Sequence, residues 1–154
     1  APQIADYAID FLDGSDEKLV IFAWHHDVMD IFEDRLSSFG TVRIDGRKGA
    51  VARQKAVDDF VGRDNVRVFI GNAQSAGEGL DGLQHVCSRC YLAEPDWVPK
   101  NIEQPVSRLD RLGQPNDVSA EIFVAPGSIS EKILVKALEK MNTIYKVLDA
   151  RADR

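Results

Sequence analysis

The sequence predicts an α/β domain: a parallel sheet covered by helices on both faces. Three observations carry this. Residues 19–24 (LVIFAW) form a continuous apolar run, the pattern of a strand buried on both sides. Further short apolar runs recur at 42–44, 66–70 (VRVFI), 89–93 and 118–124 (VSAEIFV). Longer segments with helical spacing lie between them, as βαβ units require.

In chain order, residues 2–12 place Ile4, Tyr7, Ala8 and Phe11 at helical spacing, an extra N-terminal helix ahead of the first strand. After the 19–24 strand, residues 27–39 set Val28, Ile31, Phe32, Arg35, Leu36 and Phe39 near one face. Residues 50–61 do the same with Ala52, Ala56, Val57 and Phe60. Crossovers between the strands are expected to be right-handed. The chain closes with an extra C-terminal helix that starts at a capping box, Ser128 to Glu131. Its apolar stripe runs through Ile129, Ile133, Leu134, Ala137, Leu138, Met141, Ile144, Tyr145 and Leu148. Such a stripe suits core packing and also suits docking on a partner lobe. The charged tail ARADR is expected to fray.

Length and composition bound the function. A chain of 154 residues is one domain, or one lobe of something larger, and 1–154 is taken as a single unit. With 44% hydrophobic and 29% charged residues it has ordinary globular usage. Nineteen Lys and Arg against 25 Asp and Glu give a net charge of −6, which excludes coating nucleic acid by bulk charge. No apolar run approaches the roughly 18 residues of a membrane span, and no signal-peptide pattern opens the chain. The two cysteines, Cys87 and Cys90, exclude a disulfide scaffold and point to a reducing, intracellular compartment. The first residue is Ala1, as in a trimmed or excised piece.

Three stretches can carry chemistry. In 104–114 (QPVSRLDRLGQ), read as helix, Gln104, Arg108 and Arg111 stand at i, i+4 and i+7, opposite Ile102, Val106 and Leu109. Two guanidiniums one turn apart suit a polyphosphate, because each offers a permanently charged, planar fork of donors. A solvated face with surface ion pairs has the same spacing. Pro105 must fall in the first turn or kink the helix. Residues 71–83 (GNAQSAGEGLDGL) hold four glycines, Gly71, Gly77, Gly79 and Gly82, whose backbone N–H groups can be aimed at a phosphate. They form neither a P-loop nor a dinucleotide fingerprint, and an ordinary connection fits them too. Residues 43–55 gather Arg43, Arg47, Lys48, Arg53 and Lys55 against one acid, Asp45, a local positive patch that can hold a phosphate backbone or simply face solvent.

Other residues are less informative. CSRC with His85 gives H-x-C-x-x-C, but structural zinc wants four ligands and no second pair exists, so buried free thiols are expected and no metal. His25 and His26 follow the first strand with no carboxylate partner evident in the sequence, which assigns them to a loop. Trp24 and Trp97 each follow a strand and can pack at a sheet edge or face a partner.

Taken in order, KLVIFAWHHDVMDIF, RIDGRKGAVARQKAVDDF, SAGEGLDGL, YLAEPDWVP and QPVSRLDRLGQ resemble motifs IV, IVa, V and VI, with the aspartate–tryptophan segment between V and VI, of superfamily-two helicases. The likeness covers roughly residues 18–140 and is to the second, C-terminal RecA-like lobe, most similar to the Swi/Snf-type DNA translocases. The resemblance implies a RecA-like three-layer domain. It implies that Arg108 and Arg111 reach across a cleft to the ATP phosphates, with Arg111 the finger, and that Gln104, Gly77, Gly79 and Gln114 belong to the nucleotide-responsive motifs. It implies DNA contacts for Ser75, Arg47, Lys48 and Arg53. ATP and Mg2+ would be held mainly by a first lobe of the same polypeptide. That lobe and DNA are the implied partners, and this fragment alone is expected to be inactive. Asp81 stands where the family often has Asn, Glu78 where it often has Gly, and Asp110 and Pro105 where it often has His and Ala. The family's large insertions are not seen, so a compact translocase similar to annealing helicases or phage members is expected. Two other readings fit the residues: a non-catalytic RecA-like docking module, and a flavodoxin-like domain with a small-molecule site at the strand C-termini.

Overall fold

The strand β1 (Leu19–Ala23) is buried at every position, and its side chains alternate between two separate cores. Val20 and Phe22 point to one face, and Leu19, Ile21 and Ala23 to the other, so the period of two in a strand divides one apolar run between two layers of helices. The computed structural model describes residues 1–73, 80–94, 99–124 and 145–149. In these residues α1 is Pro2–Asp13, α2 is His26–Arg35 and β2 is Thr41–Ile44. They are followed by α3 (Ala50–Gly62), β3 (Val68–Asn72), β4 (Arg89–Leu92), α4 (Pro99–Ser107), β5 (Ser119–Val124) and β6 (Tyr145–Asp149). The strands form one sheet in the order β2-β3-β1-β4-β5-β6, and every pairing among the described residues is parallel.

The first core lies under α3 and α4. Phe60 of α3 is fully buried and meets Phe69 of β3 edge-on, with ring centroids 5.5 Å apart. Ile102 and Val106 of α4 and Leu109 beyond it join the same cluster. The second core lies under α1 and α2. Ile4, Ala5, Ala8 and Leu12 of α1 pack with Met29 and Phe32 of α2 against Ile21, Ile70, Tyr91 and Phe123. Pro2 opens α1 at a position where its missing N–H costs nothing. The Arg67 guanidinium fixes the far end, donating to the carbonyls of Leu12, Ser15 and Glu17 at 3.0, 2.7 and 2.9 Å. Lys18 similarly caps the end of α3 by donating to the carbonyls of Phe60 and Arg63.

The elements expected from periodicity are present, with three corrections. The helix expected over 27–39 stops at Arg35. A single 3-10 turn at Ser37–Phe39 then hands the chain to Gly40, whose φ is +79°. A Cβ there would sit 1.9 Å from the carbonyl oxygen of Asn65, so glycine is required for both conformation and space. The helix read across 104–114 is also shifted: α4 spans Pro99–Ser107, with Pro105 inside it. Pro105 supplies no N–H, the Ser107 hydroxyl donates back to the Gln104 carbonyl at 2.8 Å, and Arg108 N–H bonds only three residues back, to Pro105. The helix therefore tightens and ends before the arginines.

The third correction is at the C-terminus. Residues 125–144 lie outside the described residues, and with them most of the helix expected from Ser128. Its expected last turn is instead β6, with Tyr145 opposite Ala120 and Lys146 opposite Glu121. A short apolar run such as Tyr-Lys-Val-Leu satisfies either period, and the open edge of β5 offers it a hydrogen-bonding ladder.

Candidate nucleotide and nucleic-acid surfaces

Arg108 and Arg111 lie on the turn that follows α4, not on a helical ridge. The turn is built by Leu109 and Asp110 N–H to Val106 O, both at 3.0 Å, and by Arg111 N–H to Leu109 O and Gln114 N–H to Arg111 O, both at 3.1 Å. Leu109 is fully buried and pins it from below. Gln114 pins its far end by donating to the carbonyls of Cys87 at 2.7 Å and Leu109 at 3.1 Å, while its side-chain oxygen accepts from Asn116 N–H. The expected nucleotide role of Gln114 thus competes with a bracing role that occupies both ends of its amide. Gly113 adopts φ +93° beneath His85, and a Cβ would lie 2.5 Å from the ring. Gln104 sits half-buried on α4, one turn before Arg108.

The arginines themselves are close enough to feel each other. Arg108 is half-buried, and its Nε is buried with no hydrogen-bond partner among the described residues. Burial lowers its pKa, the charge of Arg111 lowers it further, and Asp81 offsets part of this. An anion seated between the two guanidiniums would relieve the mutual repulsion. Arg111 is exposed, with Nη1 3.4 Å from Asp81 Oδ1. Both members of that pair face solvent, so neither arginine is tucked into an internal ion pair among the described residues.

The sequence patch at 43–55 is less positive than its composition. Arg43 is buried, bonded to Asp30 and to Glu33 at 3.0 Å, with Asp45 3.3 Å and the His26 ring 3.3 Å away. Arg47 folds onto Asp45, with Nη2 to Oδ2 at 3.0 Å, and its backbone N–H bonds Oδ1 at 3.0 Å. The hydrogen bond from Arg47 leads the causes that lower Asp45 from its ordinary 3.8 to about 2. Lys48 donates to the Arg43 carbonyl. Gly40 and the alternation of the ladder turn that carbonyl to the outer edge of β2, so Lys48 also covers an edge. Arg53 is half-buried on the first turn of α3. A groove of about 310 Å3 between β2 and α3 mixes Lys48 and Lys55 with Glu33 and Asp59. Ser75, Gly77 and Gly79 lie outside the described residues, as do Glu78 and Trp97.

The two surfaces occupy opposite ends of the strands. Arg47 and Lys48 leave β2 at its carboxyl end. The arginine turn is anchored by Gln114 to Cys87, which leads into β4 at its amino end.

Two features were not legible in the sequence. Glu94, just after β4, accepts backbone N–H groups of Trp24 and His25 through Oε2, both at 2.9 Å, and meets His25 Nδ1 at 2.7 Å. His26 lies 3.6 Å from Asp45. Both histidines therefore have carboxylate partners, contrary to the loop assignment, and these partners are distant in sequence. Helices α2 and α4, which follow the neighbouring strands β1 and β4, pack on opposite faces, so the topological switch point lies between those strands. Glu94 stands at that point, bonded to the backbone N–H groups of Trp24 and His25. Cys87 and Cys90 are free and buried. Burial pushes Cys87 up to about 12 and Cys90 higher still. Among the described residues no group of three or more His, Cys, Asp or Glu is placed to hold a metal.

The model of the helicase conserved C-terminal domain matches residues 3–113. The chain belongs to this family. It is a second, C-terminal RecA-like lobe of the Swi/Snf type in superfamily two. The DNA repair and recombination protein RAD54 of Saccharomyces cerevisiae is 31% identical over 142 residues, 90% of this chain and 16% of that protein. A RAD54-like protein of Drosophila willistoni is 33% identical over 139 residues, 88% of this chain and 18% of that one. The helicase lobe thus spans less than a fifth of these relatives. The solved C-terminal part of the Fun30 ATPase domain shares its fold, with a TM-score of 0.77 at 24% identity, covering 97% of this chain and 46% of that one.

Proposed function

We propose that this lobe completes the ATP site of a DNA translocase, with Arg108 and Arg111 contributed across a cleft to a nucleotide carried by a first lobe. The observation that carries this reading is the arginine turn itself. Two mutually repelling guanidiniums sit on a braced turn, with Arg111 facing solvent. That arrangement fits an incoming polyphosphate. Arg111, at the exposed tip, is the finger that meets the γ-phosphate, and Arg108 supports the same charge from a more fixed position. Arginines presented in this way contribute roughly 10³- to 10⁵-fold to phosphoryl transfer. Gln104 lies on the same element, and Gln114 holds the turn in place. Magnesium would be held mainly by the first lobe, where it would neutralise phosphate charge.

DNA follows the opposite, carboxyl end of the strands, where Arg47, Lys48 and Arg53 meet phosphates; Ser75 is proposed as a further phosphate contact, and Gly77 and Gly79 as glycines of the nucleotide-responsive motif. Arg47 remains exposed enough to exchange Asp45 for a phosphate. The net charge of −6 keeps such contact local. Closure and opening of the cleft would then move one lobe along DNA relative to the other. The relatives' names place them in DNA repair and recombination, which fits an intracellular, compact, DNA-acting motor.

A docking module without catalysis is the reading from another class. It has no need of two guanidiniums held against each other's charge. The test is magnesium-dependent ATP turnover by this chain alone and by the full-length protein, with DNA added to each. Turnover is expected only in the longer protein. Turnover by the lobe alone, or none by the longer protein, would overturn the proposal.

A further inference from the structure

Resting on that motor reading, we propose that Asp81 is a counter-ion that parks Arg111 away from the nucleotide, so that ATP must displace a carboxylate before the finger engages. Asp81 Oδ1 lies 3.4 Å from Arg111 Nη1 and accepts from Gln84 Nε2 at 3.1 Å. Gln84 is buried and spans both segments. Its oxygen accepts from Gly82 N–H at 2.9 Å, and its nitrogen also donates to the Leu112 carbonyl at 3.3 Å, next to the finger. One fixed amide therefore holds the carboxylate and the finger's turn in a common frame.

A carboxylate oxygen and a phosphate oxygen are the same kind of partner for a guanidinium, and one edge of the fork cannot serve both at once. The competition is weak by design of its surroundings. Asp81 is 77% exposed and Arg111 36%, so solvent screens the pair and a triphosphate can replace it. A buried pair would have locked the finger.

The test is steady-state ATP turnover of the full-length protein without nucleic acid. Asp81→Asn keeps an oxygen for Gln84 and removes only the charge. It is expected to raise kcat/KM for ATP about two- to fivefold at unchanged melting temperature. Asp81→Glu is expected to match the wild type, because it restores the charge. In an Arg111→Ala background Asp81→Asn is expected to change nothing, which a merely structural role for Asp81 would not produce. If Asp81→Asn does not fold, Asp81→Ser removes the same charge and is read in the same way. An unchanged or lower kcat/KM, while Arg111→Ala alone still costs roughly tenfold or more, overturns the counter-ion and leaves the finger standing. No loss in Arg111→Ala overturns the motor reading itself.

Discussion

Asp45 shows how much of a residue's role depends on its surroundings. The sequence marks it as the single acid in a basic stretch, yet the structure makes it the hub of that stretch, between Arg43 and Arg47 and beside His26. Its carboxyl is held at about 2, below its ordinary 3.8. A folded-state pKa below the unfolded one adds stability above pH 4 or so, and that stability is lost as pH falls toward about 2. Asp45→Asn is therefore expected to flatten the acid limb of a melting-temperature profile across that window; an unchanged limb would show that Asp45 is not coupled to folding. Gly113 is the second such residue. Gly113→Ala places a Cβ into the His85 ring at a left-handed φ and is expected to cost about 1–3 kcal/mol by denaturant titration. His85→Ala should recover the steric part and leave the backbone part. The role of Gly113 is not visible in one dimension, because its neighbour His85 is supplied by another segment.

The strands and helices were more legible than the residues. Runs such as LVIFA are buried on both faces, and no loop explains that pattern, so β1 and β3 follow directly from composition. Helix α3 shows only a weak apolar stripe, yet Ala56, Val57 and Phe60 place it in the first core with Phe69 of β3. Phe60→Ala is expected to lose about 3–5 kcal/mol in urea unfolding, because it empties the contact with Phe69 and removes the ring under Lys18. A loss below 1 kcal/mol or so would mean that this core is loosely packed. Errors gathered at element ends. Pro105 and Ser107 end α4 early through backbone chemistry that apolar periodicity does not record. At Tyr145–Asp149, the choice between helix and strand was made by the free edge of β5, a property of the sheet and not of the segment. The guanidiniums were found for a reason that proved partly wrong: helical spacing suggested one ridge, and a turn braced by Leu109 and Gln114 presents them instead.

Across the whole molecule, the two proposed surfaces are separated by the length of the sheet, with the two cores between them. The free thiols report on the integrity of that middle layer. Cys87 and Cys90 are buried, with pKa values raised to about 12 and beyond. A thiol reagent at neutral pH is expected to label them at the rate of global opening, rising with denaturant; rapid labelling in water would place an opening inside the first core. In the proposed reading, a change at one surface reaches the other when the packed middle layer moves as a body, as a lobe of a two-lobed motor would. The most direct test concerns the arginine turn. In the full-length protein, ATP turnover and DNA affinity should be measured for Arg108→Ala and Arg111→Ala. Turnover is expected to fall at least about tenfold in each, most in Arg111→Ala, with DNA affinity unchanged. Turnover at the wild-type level in Arg111→Ala would contradict the claim that this lobe completes a nucleotide site.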